Sequence, residues 1–370
     1  MERSAGSLKA GIGGRSDKRA TGAKPVRLWL LATALLVLLM VLLGGATRLT
    51  DSGLSITEWQ PIMGAIPPLS DAQWQEAFGK YQQIPEYQRI NKGMSLDEFK
   101  TIYWWEWAHR FLGRLIGIVF AVPFVIFWLR GRLDRQLTVK LLLILVLGGL
   151  QGVIGWYMVM SGLVDRVDVS QYRLALHLGL AAAIFGAILW VVFEMGERRT
   201  AGRGQAPDKA LLFSGVGLCC LILIQIVLGA FVAGMDAGLA YNTWPLMDGA
   251  VVPEGLGVME PWYLNPFENA LTVQFDHRIA AYLMTAWALL HAVAVLRWEG
   301  RTPAARSALW LAIAVLVQVL LGIVTLIWSV PLGMALAHQA AAFIVLGLAL
   351  FHLHCLVAPG SAPVRQTAPA

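Results

Sequence analysis

Charged residues are scarce in this sequence, 14% of 370 positions against 57% hydrophobic, and the mean hydropathy is +0.63. That excludes one ordinary soluble domain and fits a chain crossing a membrane several times. Cysteine is rarer still, with three residues. Cys219 and Cys220 share one apolar run and Cys355 ends another. Neighbours on a helix point about 100° apart, so these thiols suit packing and build no disulfide framework. Lys and Arg are missing altogether from 234–275 and 329–337. Histidine is sparse too, seven in all, which makes the position of each informative.

What the chain has instead is long apolar runs. Eight reach spanning length, at about 28–46, 109–129, 141–160, 172–193, 210–233, 276–296, 308–328 and 333–357. Lipid offers no partners for exposed backbone groups, so each run is expected to be a continuous helix. The fold class is therefore an all-α integral membrane protein with eight transmembrane helices. Nineteen of the 29 Lys and Arg residues gather on one proposed side. They lie before Leu28 (Arg15, Lys18, Arg19, Lys24 and Arg27 among them), at Arg130, Arg132, Arg135 and Lys140, at Arg198, Arg199, Arg203 and Lys209, at Arg297, Arg301 and Arg306, and at Arg365. The positive-inside rule then puts both termini in the cytoplasm, on the inner face of a bacterial inner membrane. Topology accounts for the net charge of +6, and nucleic acid is not needed as a partner. The basic tail lacks a cleavage-site pattern and runs straight into a full span, unlike a secretory signal. Its Arg, Ser and Gly also suit a mitochondrial transit peptide, against which Glu2 and Asp17 weigh.

The chain is written twice. GGATRLTDSGLSITEWQPIMGAIPP resembles GAFVAGMDAGLAYNTWPLMDGAVVP. Asp51 and Asp236, Gly53 and Gly238, Trp59 and Trp244, Gly64 and Gly249, and Pro68 and Pro253 all stand 185 residues apart. His109-Arg110 matches His277-Arg278 at an offset of 168, Gln151 and Gly155 match Gln318 and Gly322 at 167, and His177 matches His338 at 161. The expected organisation is two pseudo-repeated four-helix bundles, 28–193 and 210–357. A cytoplasmic linker, 194–209, joins them, 1–27 and 358–370 are cytoplasmic tails, and the first bundle carries a long outer loop, 47–106.

Four histidines open even-numbered spans: His109, His177, His277 and His338. Those spans all run inward, so all four imidazoles are expected at one depth, in the first turn or two of their helices. Ionisable groups inside a membrane are costly enough to suggest function. Four at one depth point to metal ligation, and the metal group that fits between apolar helices is a haem held by two imidazoles. One turn below each histidine stand Gly113, Ala181, Ala281 and Ala342, small enough to leave room for a flat ring. Small residues also serve ordinary helix packing, and a single membrane histidine is more often hydrogen-bonded than metal-bound. Arg110, Arg278, Arg114 and Arg48 lie at the same rim and suit haem propionates; interfacial snorkelling is their plainer reading.

The halves differ where chemistry would be decided. Glu106 precedes His109 by three residues, whereas Gln274 precedes His277. A carboxylate beside a porphyrin edge can accept or donate a proton and a glutamine cannot, which makes Glu106 the candidate catalytic residue. A plain ion pair with Arg110 or Arg114 is its alternative. In the outer loop, Ser70 with Gln73 and Ser95 with Glu98 resemble capping boxes opening short helices, with Trp74, Phe78 and Tyr81 on one stripe of the first. Trp104, Trp105 and Trp107 crowd the entry to the next span, as an aromatic belt or as part of a lid over a large apolar substrate. His291 and His352 each lie 14 residues beyond a proposed ligand, the spacing of stacked haems. The first half has Pro123 and Val191 there, so a third haem is the weaker expectation, and His354 falls outside that spacing.

These stretches, together with EWAHRFLGRLIG, LQGVIGWYMVMSGL, YNTWPLMDG, FDHR and ALAHQ, resemble the haem A synthase family in its alpha-proteobacterial and mitochondrial branch, over about 28–357. The resemblance implies a membrane oxidoreductase converting the C8 methyl of haem O to the formyl group of haem A for terminal oxidases. It implies that His277 and His338 hold a haem b cofactor, that His109 and His177 belong to the half handling substrate, and that Glu106 takes part in catalysis. Haem O synthase and cytochrome oxidase assembly factors are the partners it suggests, besides haem O and the bilayer. Some bacterial members carry an outer-loop cysteine pair; this chain has none there. From the residues alone a bis-histidine membrane cytochrome b for electron transfer stays open. A transporter fits less well, because the repeats share one orientation and no midplane charges appear.

Overall fold

The computed structural model describes residues 10–60, 62–162, 167–196, 208–299 and 302–357, and side chains from Lys24 onward. Arg198, Arg199, Arg203, Arg301, Arg365, most of the linker 194–209 and the tail 358–370 lie outside the described residues, as do the side chains of Arg15, Lys18 and Arg19.

The protein is all helical. In chain order the helices are α1 (Ala10–Leu49), α2 (Asp71–Tyr81), α3 (Pro85–Arg89), α4 (Leu96–Leu129), α5 (Arg135–Gly162), α6 (Gln171–Gly196), α7 (Lys209–Gly234), α8 (Asn265–Glu268), α9 (Ala270–Glu299), α10 (Pro303–Ile327) and α11 (Leu332–Val357). Eight of them, all but α2, α3 and α8, are long and apolar enough to cross a membrane. The number matches the eight apolar runs.

Boundaries differ at α1, which begins at Ala10 rather than about 28, and at α4. Ser95 and Glu98 do form a reciprocal capping box, but it opens the spanning helix itself rather than a separate short one. α4 runs unbroken for 34 residues. At about 1.5 Å per residue it is some 20 Å longer than the hydrocarbon core requires. Its charged, aromatic first turns hide the helix from a hydropathy reading, so His109 stands in the fourth turn rather than the first two. Ser70 caps α2 by accepting from the Gln73 amide, while the Gln73 side chain reaches back to Leu69 N at 2.7 Å.

α1, α4, α5 and α6 pack as neighbours, and so do α7, α9, α10 and α11; between the halves α6 lies against α7 and α11, and α1 against α11. The join between α6 and α11 is reciprocal. A Cβ on Gly186 would stand 3.1 Å from Leu350, and one on Gly347 would stand 3.2 Å from Leu189. Both pairs, Gly186 with Gly347 and Leu189 with Leu350, are 161 residues apart, the offset that relates His177 to His338. Each helix thus offers the other the same knob and the same notch, the geometry of a two-fold contact. Phe185 and Phe343 meet edge to face beside it, centroids 5.4 Å apart. The outer turns repeat as well, since Asp51 and Asp236 both adopt left-handed backbone, with φ of 48° and 50°.

Pro123 lies inside α4 without freeing a carbonyl. Proline has no N–H for the carbonyl four residues earlier, Val119 O, and the Trp29 indole on α1 donates to that oxygen at 2.7 Å. Outside the spans, Leu54, Trp74, Phe78, Tyr81, Ile84, Phe99 and Tyr103 form a separate aromatic core. The expected stripe Trp74, Phe78 and Tyr81 is buried in it. Glu86 is buried there too, accepting from Tyr81 Oη at 3.1 Å and facing Asn91. Burial pushes its carboxyl up to about 8, above the ordinary carboxylate range.

Trp29→Phe removes the donor to Val119 O and is expected to cost about 1–3 kcal/mol in unfolding measurements in detergent micelles. An acid whose pKa is raised by folding contributes stability below its unfolded pKa and loses it as pH climbs through the folded value. Hydrogen exchange across α2 and α3 should therefore quicken between about pH 5 and 9 beyond its intrinsic base catalysis. Glu86→Gln should abolish that excess.

Candidate functional site

Each of the four histidines brings the Cε1 edge of its ring against a glycine on the adjoining helix. A Cβ on Gly44 of α1 would stand 2.8 Å from Cε1 of His109 on α4, and one on Gly155 of α5 would stand 3.1 Å from Cε1 of His177 on α6. The second half repeats this: Gly229 of α7 with Cε1 of His277 on α9 at 3.2 Å, and Gly322 of α10 with Cε1 of His338 on α11 at 2.8 Å. Only a residue without a side chain lets an imidazole come so near a neighbouring backbone. The helices also bring the histidines together in pairs, His109 with His177 and His277 with His338, close enough for the charge of one to act on the other.

Glutamines complete the arrangement, and sequence reading missed their role. Gln151, Gln225 and Gln318 stand one turn before Gly155, Gly229 and Gly322. Each donates its amide to the backbone carbonyl of the facing histidine at 3.0 Å: His177, His277 and His338. Gln225 Nε2 also meets His277 Nδ1 at 3.1 Å. The recurring Gln-x-x-x-Gly spacing was the available signal.

These surroundings fit a haem. Nδ1 of His109, His177 and His338 is buried with no hydrogen-bond partner, as are Nε and Nη1 of Arg278 and Nε of Arg48. Unpaired buried polar atoms are rare in proteins and mark places where another group completes the set. Gly113, Ala181, Ala281 and Ala342, one turn below the histidines, are all half-buried. Among the described residues no cluster of three or more metal-ligating side chains occurs.

The arginines are placed differently from one another. Arg278 uses Nη2 for Tyr241 O at 2.9 Å and Gln274 Oε1 at 2.7 Å, leaving Nε and Nη1 buried and unpaired. Arg110 is more fully engaged, donating to Glu58 O, Ile56 O and Glu106 Oε1 at 3.0, 2.8 and 2.6 Å. Arg48 ties two repeat-related carboxylates, Asp51 at 3.0 Å and Asp236 at 2.8 Å. Arg114 donates to Gln60 O at 2.9 Å.

Glu106 is buried and its two oxygens are committed. Oε2 accepts from Ser55 Oγ and Ile56 N, each at 2.7 Å, and Oε1 from Arg110. Gln274 holds the matching place but donates to Ala237 O at 2.6 Å. The loop above the first half presents donors and the loop above the second presents a carbonyl, which explains why an acid stands in one and an amide in the other. Trp107 stacks on Phe111 at 4.9 Å, with Trp104 edge-on to it at 5.4 Å, so two of the three entry tryptophans line the top of α4.

The geometry gives no support to a third haem, the weaker expectation. His291 and His352 do meet, but Nε2 to Nε2 at 2.8 Å, a direct hydrogen bond that occupies both ligating atoms. Two iron–imidazole bonds need about 4 Å between those nitrogens. Ser214 and Ser307 hold their outer nitrogens at 2.8 and 2.9 Å. His354 packs its ring against Trp190 and Phe193.

Residues 27–350 match the family described as COX15-CtaA, cytochrome oxidase assembly protein. The chain is 54% identical to the haem A synthase of Parvibaculum lavamentivorans, covering 89% of this chain and 93% of that one. It is 55% identical to the haem A synthase of a Chelativorans species, covering 93% of each, and 50% identical to that of Agrobacterium fabrum, covering 97% and 98%.

Gly322→Val would drive a side chain into the ring of His338. Loss of most of the haem absorbance assigned to the second half is expected in purified protein, whereas Gly333→Val, where a Cβ meets open space, should leave the spectrum unchanged.

Proposed function

Because the chain belongs to the COX15-CtaA family, we propose that it is a haem A synthase, an oxidoreductase that converts haem O to haem A by oxidising the C8 methyl group to a formyl group. The observation that carries this reading is the unequal pair of clefts. Both have two imidazoles on glycines, and one alone has a buried carboxylate beside the first imidazole.

In this reading His277 and His338 hold haem b, with Arg278 turned toward a propionate through its unpaired Nε and Nη1. Haem b, when bound, supplies a one-electron carrier. His109 and His177 hold the substrate haem O. Three features support that division. Glu106 lies in the first half. The aromatic outer domain borders α4 and no second copy of it stands over α9. And α9 packs closely along α10 while their counterparts α4 and α5 meet only over a short stretch, leaving the first bundle the more open. A bulky isoprenoid-bearing porphyrin needs such an opening toward lipid.

Glu106 would accept a proton at Oε1 or Oε2, handing it on through the Ser55 hydroxyl. Arg110 would orient that carboxylate, and with Arg48 it stands at the rim where propionates lie. Lys- and Arg-free outer segments with basic inner turns support a multi-pass protein of the bacterial inner membrane with both termini in the cytoplasm. Haem O synthase and oxidase assembly factors are the partners that would deliver substrate and take product.

Expression with haem O supplied, followed by analysis of extracted haems, tests the assignment. Glu106→Gln is expected to retain haem b and make no haem A, and His277→Ala to lose the haem b spectrum. Wild-type haem A yield from Glu106→Gln would remove the carboxylate from the chemistry and leave the cytochrome reading.

A further inference from the structure

Three of the four histidines are held at two points and one is not. His177, His277 and His338 each have a glycine under the ring and a glutamine amide on their own backbone carbonyl. His109 has the glycine, Gly44, without the amide. The residue one turn before Gly44 is Met40, at the same 185-residue offset from Gln225 that Gly44 has from Gly229. Its thioether has no proton to donate, and its Cε lies 3.3 Å from where a Cβ on Gly113 would stand, one turn below His109. Nδ1 of His109 is buried and unpaired, as it is in His177 and His338, so the missing amide is what sets His109 apart.

A second hydrogen bond at the histidine carbonyl fixes the helix turn that carries the ring, and outer contacts of this kind set how firmly an imidazole stays on a metal. A methionine is flexible and adaptable where a hydrogen-bonded amide is not.

Resting on the reading of the two pairs as haem ligands, we propose that Gln151, Gln225 and Gln318 are positioning residues for His177, His277 and His338, and that Met40 leaves His109 the one ligand able to swing off a bound iron. The displaceable position then lies on the Glu106 side of the substrate cleft, and the cofactor cleft stays closed to exogenous ligands. The substitution of methionine for glutamine is what separates a site that must admit chemistry from one that must only hold.

The test is carbon monoxide binding to the dithionite-reduced, haem-loaded protein, read as a difference spectrum alongside total haem and the low-spin absorbance bands. Wild type should react at the first-half haem alone. Met40→Gln should lower the reactive fraction about tenfold with haem content unchanged. Gln225→Met, the reverse exchange in the second half, should make the haem b population reactive to a similar degree and shift its reduction potential. Unchanged carbon monoxide binding in Gln225→Met, or in a haem-loaded Met40→Gln, would overturn the positioning role while leaving bis-histidine ligation intact. A wild-type protein with no Soret band would instead overturn the haem reading beneath it.

Discussion

The close contact between an imidazole and the bare backbone of a neighbouring helix is the constraint on which the rest of this structure depends. Four such contacts fix which helices adjoin: α1 with α4, α5 with α6, α7 with α9, and α10 with α11. They also fix rotation about each helix axis, since a turn of one residue would swing the ring some 100° away from its glycine. Once both are set, two imidazoles in each half face a common space. The α6–α11 join then brings the halves together by exchanging leucines and glycines reciprocally. In lipid there is no hydrophobic gain from merely touching another helix, so close packing of this kind carries much of the association.

Within that near-symmetric frame, the chemistry resides in the departures from symmetry. Glu106 and Gln274 occupy matching places, each beside an arginine four residues on, yet one accepts from the loop above it and the other donates. The outer loop of the first half is a small aromatic domain with its own buried carboxyl. At the far end of the second half, His291 and His352 share a hydrogen bond flanked by two serines, and a single order of donors and acceptors satisfies the chain. Ser307 donates to Ala304 O, so it accepts from His352 Nδ1; His352 Nε2 then accepts from His291, whose Nδ1 accepts from Ser214, which in turn accepts from the Trp287 indole. That chain cross-ties α7, α9, α10 and α11, and the first half has Pro123 with the Trp29 indole in its place.

Much of this could be read from the residues. Eight apolar runs gave eight helices, and Trp74, Phe78 and Tyr81 gave the buried stripe of α2. The offset that joins His177 to His338 also joins the glycines and leucines of the α6–α11 contact. The outward extension of α4 was hidden because Trp104, Trp105, Glu106 and their neighbours are interfacial in composition, so hydropathy placed the helix start at His109. The glutamines were visible as repeat positions, but nothing local to Gln225 shows that it reaches the carbonyl of His277, 52 residues away.

What the sequence determined by itself is the set of membrane helices, the four histidines and the exchange of Glu106 for Gln274 between the halves, because helix formation in lipid satisfies each segment's backbone from within that segment. Tertiary structure alone decided which glycine each ring approaches, which histidine lacks an amide, that Arg48 is bound to Asp236, and that His291 and His352 bind each other. Those pairings join residues tens to nearly two hundred positions apart, and only the packing of helices against one another chooses among the partners each side chain could have had.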